Sequence, residues 1–62
     1  MKASERERTA KGFCVLIEAE YLGCNDEYIR IYSVNGNFYK VFWRDYKKNK
    51  NNTVWLNSWK RK

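Results

Sequence analysis

The chain has 62 residues, with 13 Lys and Arg, seven Asp and Glu, no His and no Pro, for a formal net charge of +6 and an isoelectric point near 9.6. A chain this short forms one domain, residues 1–62, with a small core that buries only about 60% of the surface its unfolded form exposes. Lack of histidine excludes Ser–His–Asp and Cys–His catalysis and mixed Cys/His zinc sites, and two cysteines, Cys14 and Cys24, are too few for an all-cysteine zinc site.

The three glycines, Gly12, Gly23 and Gly36, build no phosphate-binding loop motif. No apolar run approaches the ~18 residues of a membrane span, and the charged start Met1–Arg8 has no signal-peptide core. The expectation is a cytoplasmic protein with reduced thiols, no membrane association, no metal, no cofactor and no catalytic residues. Glu18 and Glu20 fall on one strand face, where a solvated or ion-paired role suffices for them.

In chain order, residues 1–11 form a charged arm or short helix. Ser4-Glu5-Arg6-Glu7 fits a capping box that opens a helix at residue 5. Residues 12–59 form a β-sheet core. Four runs rich in β-branched and aromatic residues, 13–22, 28–34, 38–43 and 53–59, alternate with turn signals at Gly23–Asp26, Asn35-Gly36-Asn37 and Lys47–Asn52. Residues 60–62 are a basic tail. The fold class is mainly β: an antiparallel four-stranded meander curled into a small SH3-like barrel or sheet. The first run also supports an α+β alternative, an N-terminal helix packed on a three-stranded antiparallel sheet. Ala10, Phe13, Cys14, Ile17 and Tyr21 follow helical spacing, and Gly23 supplies a stop. Gly12 and the Phe13–Ile17 run argue against a long helix.

Alternation sorts the strands into two faces. One carries Phe13, Val15, Ile17, Ala19, Tyr21, Ile29, Ile31, Tyr39, Val41, Trp43, Val54 and Leu56, a core. The other carries Glu18, Glu20, Tyr28, Arg30, Tyr32, Phe38, Lys40, Phe42, Arg44, Trp55, Asn57 and Trp59. A three-residue Asn35-Gly36-Asn37 loop sets Ile31 opposite Val41 and Ile29 opposite Trp43. A five-residue loop, 23–27, sets Glu20 opposite Arg30.

Charge and rings are both skewed. Residues 1–27 hold four basic and six acidic groups, net −2; residues 28–62 hold nine basic groups and Asp45, net +8, with nine of the eleven aromatics. Cations neutralise phosphates and rings stack on bases or pack on sugars. The candidate binding residues are therefore Arg30, Tyr32, Phe38, Lys40, Phe42, Arg44, Trp55, Asn57 and Trp59 on the second face. Lys47, Lys48 and Lys50 add to them from the polar loop. The bland assignment of the same rings is the second wall of a barrel.

The stretch Gly36-Asn37-Phe38-Tyr39-Lys40-Val41-Phe42-Trp43-Arg44-Asp45 with Val54-Trp55-Leu56-Asn57-Ser58-Trp59 resembles strands two and three of the plant ethylene-response-factor DNA-binding domain. The arm-binding domains of phage-type integrases have a related sheet. The resemblance implies a three-stranded sheet entering the DNA major groove through Arg30, Lys40, Arg44 and Trp55. The family's helix after the last strand has no counterpart here, because the chain ends three residues past Trp59. The leading expectation is a non-catalytic nucleic-acid-binding protein, DNA favoured, working as monomer or homodimer. The alternative is a small phage or mobile-element type of protein-interaction module that inhibits or redirects a host enzyme.

Overall fold

The computed structural model describes residues 3–60, with side chains from residue 5 onward. It is α+β. Helix α1 (Ala3–Leu16) is followed by strands β1 (Glu20–Cys24), β2 (Tyr28–Tyr32) and β3 (Phe38–Phe42), then by helices α2 (Trp43–Asn49) and α3 (Thr53–Ser58). The strands form one antiparallel sheet in the order β1-β2-β3. The expected four-stranded meander and barrel are therefore not formed. Among the described residues there is no fourth strand, and the chain is not mainly β.

The first correction lies in residues 3–24. Helix α1 crosses the expected boundary between arm and sheet at residues 11 and 12, and it places Ala10, Phe13, Cys14 and Ile17 in the core. Their spacing of three, four and seven is one helical face. Val15 and Leu16, 79% and 50% exposed, fall off that face, although alternation assigned Val15 to the core. Gly12 costs this helix about 1 kcal/mol relative to alanine. Burying Phe13 returns roughly 2–3 kcal/mol, so packing outweighs local propensity. The proposed Ser4 cap concerns a side chain outside the described residues. The helix ends in a Schellman motif: the Glu18 N–H donates to the Val15 carbonyl (3.2 Å) and the Ala19 N–H to the Cys14 carbonyl (2.8 Å). Glu18 takes the left-handed φ of 59° that this stop requires, so the helix ends well before Gly23, which belongs to β1.

Gly12 is exposed, and nothing lies within 4 Å of where a Cβ would stand. Gly12→Ala is expected to raise stability by about 1 kcal/mol, or about 4–8 °C in melting midpoint by circular dichroism. An unchanged or lower midpoint would mean that the helix does not continue through residue 12.

The second correction is register. Tyr32 faces Phe38, Ile31 faces Tyr39, Arg30 faces Lys40, Ile29 faces Val41 and Tyr28 faces Phe42. The hairpin closes with Ser33 N–H on the Asn37 carbonyl (2.8 Å) and Gly36 N–H on the Ser33 carbonyl (2.9 Å). The loop thus has three residues, but they are Val34, Asn35 and Gly36, with Gly36 in the left-handed position at φ 89°. Sliding the loop back by one residue changes the pairing by two, so every side chain keeps its face. On the other side of β2, Leu22 is the extra residue of a β-bulge between Tyr21 and Gly23. The turn register sets Gly23 opposite Arg30 in place of the expected glutamate, and beyond the bulge Glu20 faces Tyr32.

The third correction concerns residues 43–59, expected as the end of the third strand, a polar loop and a fourth strand over 53–59. Trp43 opens α2. Its backbone N–H donates to the Glu27 carbonyl (3.1 Å) and its Nε1 to the Asn25 carbonyl (2.7 Å), so the β1–β2 turn serves as the cap that Phe42 cannot supply. Asn25 holds that turn by accepting from the Glu27 and Tyr28 amides, both at 2.8 Å. Asn52 caps α3, its Oδ1 accepting from the Trp55 amide at 3.1 Å. Trp55, Leu56 and Trp59 turn onto the core, while Val54 is 77% exposed.

All three helices contribute to the core on one side of the sheet. Phe13 stacks on Trp55 (5.7 Å between ring centroids) and meets Tyr46 edge-on (5.2 Å). Trp43 meets Tyr46, Trp55 meets Trp59, and Trp59 meets Tyr39 of β3. Buried Ser33 donates to the Trp59 carbonyl at 3.0 Å and ties the end of α3 to the sheet. Cys14 and Cys24 are free thiols, and burial pushes the Cys14 thiol up to about 11, so it stays protonated near neutrality.

Candidate nucleic-acid interface

Among the described residues no helix covers the opposite side of the sheet. Ile29, Ile31 and Val41 face the core, and alternation turns Tyr28, Arg30 and Tyr32 of β2 and Phe38, Lys40 and Phe42 of β3 outward. The register sets these six side chains in three cross-strand pairs: Tyr32 with Phe38, Arg30 with Lys40, and Tyr28 with Phe42. The outer pairs are in ring contact, with centroids 4.8 Å and 5.7 Å apart. The central pair is two cations. Lys40 Nζ stands 4.9 Å from the centre of the Tyr28 ring.

Like charges directly opposite one another weaken a β-ladder. Neither Arg30 nor Lys40 forms an ion pair with any described carboxylate; the two ion pairs found join Lys11 to Glu7 and Lys60 to Glu18. Glu20 lies on the same face opposite Tyr32, beyond ion-pair distance of both cations. The bulge at Leu22 borders an open hollow of about 400 Å³ lined by Leu22, Arg30, Ile31, Phe38, Tyr39 and Lys40. Phe38 is 73% exposed beside it. At the far end of β3, Arg44 shares a second hollow of about 240 Å³ with Phe42, Trp43, Asp26 and Glu27.

The expected binding residues thus separate into groups. Arg30, Tyr32, Phe38, Lys40 and Phe42 are brought together on the open face. Arg44 lies next to them in the first turn of α2. Lys47 and Lys48 lie on α2 and Lys50 just beyond it, all three exposed, so the first half of the expected polar loop is helix. Trp55 and Trp59 are corrected: both are half-buried core rings on α3, because α3 presents them at helical spacing to Phe13 and Tyr39. The Trp59 indole N–H is buried without a partner. Asn57 is exposed on α3, away from the sheet ladder. In the stretch on which the resemblance to a DNA-binding sheet rests, residues 53–58 are helix, so Trp55 cannot act as a third-strand residue. A helix, α2, does follow the last strand directly. Tyr28 and Leu22 join the face although neither was singled out as binding. Alternation signals the first; only the bulge places the second.

Among the described residues no group of three or more His, Cys, Asp or Glu side chains could hold a metal ion, and no helix is long and apolar enough to cross a membrane. No family model, no curated protein and no solved structure matches the chain.

Proposed function

We propose that the chain is a small, non-catalytic nucleic-acid-binding protein of the cytoplasm that engages its ligand through the open face of the sheet, with DNA the favoured polymer. The observation that carries this reading is the Arg30–Lys40 pair, two cations set opposite each other without a carboxylate and flanked by exposed rings. Such a pair costs stability in the free protein, and a bound phosphate between the two side chains offsets that cost. Lys47, Lys48 and Lys50 extend the positive field beyond the sheet and steer a polyanion toward it.

The test is a titration of fluorescently labelled oligonucleotides, followed by anisotropy, at several salt concentrations. One phosphate between Arg30 and Lys40 and a second at Arg44 give a slope of log affinity against log salt of about −1.4 to −1.8. Binding that ignores salt, or no binding to any polymer at low salt, overturns the proposal. Intrinsic tryptophan fluorescence is a poor probe, because Trp55 and Trp59 belong to the core and Trp43 alone borders the second hollow.

A further inference from the structure

We infer that the open face is built for a single strand with splayed bases and not for a duplex groove, an inference that rests on the nucleic-acid reading of the same face. A duplex presents phosphates and base edges; its base faces are occupied by stacking. A face made for a groove needs polar groups that reach those edges. Here four of the six central positions are rings, Tyr28, Tyr32, Phe38 and Phe42, and the two polar ones are cations suited to phosphate. Rings gain most from a base that offers its own face, which single strands provide.

The geometry fits that ligand. Phe38 and Phe42 are four residues apart on β3, roughly 13–14 Å by the rise of a strand. A nucleic-acid strand within a duplex advances only about 3.4 Å per nucleotide, and a fully extended strand only about twice that, so the two rings meet bases separated by one intervening nucleotide on an extended, unstacked strand. The backbone joining those two bases then crosses Arg30 and Lys40, which lie midway between the rings. The hollow beside Phe38, about 400 Å³ and edged by Leu22, has the size of a site for a small planar group. Past Phe42 the next exposed cation is Arg44, which takes a second phosphate beside a hollow it shares with Asp26 and Glu27.

The test compares three labelled probes on the whole chain: a ten-nucleotide single strand, its duplex, and an abasic strand with the same phosphates. The intact single strand is expected to bind at least tenfold more tightly than either of the others. Phe38→Ala is expected to weaken single-strand binding about tenfold and leave abasic-strand binding unchanged, whereas Phe38→Tyr retains the affinity. The exposure of Phe38 leaves the fold intact in both variants, which circular dichroism checks; Phe42→Ala repeats the test at the other ring pair. Equal binding of the abasic strand, or preference for the duplex, overturns this inference while the nucleic-acid reading stands. Absence of binding to every probe at low salt overturns both.

Discussion

Arg30→Glu is expected to make the protein more stable and its binding weaker. The substitution turns the repulsive Arg30–Lys40 pair into an attractive one on the central strand, a gain of about 1 kcal/mol from relieved repulsion and a new cross-strand ion pair. It also removes one phosphate contact and puts a negative charge on the face, so affinity falls roughly ten- to a hundredfold, the worth of one charged hydrogen bond. The salt slope becomes shallower by about one. Adding Lys40→Glu restores a like-charged pair of opposite sign. Stability then returns toward that of the parent chain while binding stays lost. Denaturant melts and the anisotropy titration on the same three proteins measure both quantities. A purely structural role for Arg30 requires that stability and binding fall together.

Phe13→Ala has the largest expected effect on stability. Phe13 is 2% exposed and lies between Trp55 of α3 and Tyr46 of α2, so its ring joins all three helices. Truncating a buried phenylalanine costs about 3–5 kcal/mol. A 62-residue chain has a total of roughly 3–9 kcal/mol at 0.05–0.15 kcal/mol per residue. The variant is therefore expected to lose most or all of its cooperative unfolding transition, and Trp55 its buried emission. Val15→Ala is the matched control: Val15 is 79% exposed and is expected to change stability by under about 0.5 kcal/mol. In a β-strand over residues 13–17, both side chains would be core and both substitutions costly. Equal losses would therefore exclude helix α1 as described.

The part of the molecule most legible in the sequence is the β2–β3 hairpin, including the open face. Alternation separated Ile29, Ile31 and Val41 from Arg30, Tyr32, Phe38, Lys40 and Phe42, and the structure keeps that separation although the pairing moved by two residues. A shift of two preserves the face of every side chain, so the face was readable without the exact register. The bulge at Leu22 was not readable. The β1–β2 turn closes on Cys24 and Ile29 instead of Leu22 and Tyr28, and that register, on the turn side of the bulge, sets Gly23 opposite Arg30 and removes the expected Glu20–Arg30 partnership. That loss leaves the central cations without a carboxylate.

Composition, the turn residues and the alternation along residues 28–42 determined by themselves that the chain is a small basic domain with a hairpin carrying cations and rings on one side. The tertiary structure alone decided the two ends. Phe13 and Ile17, like Trp55 and Trp59, are four residues apart, a spacing that satisfies both a period of two and a period of 3.6. Such pairs share a face in a strand and in a helix alike, so they cannot choose between them. The choice falls to their neighbours, Cys14 over Val15 and Leu56 over Asn57, and those neighbours are selected only when α1, α2 and α3 meet around the shared aromatic core. Packing the ends as helices on one side of the sheet is also what leaves the other side, with Arg30 and Lys40 at its centre, open.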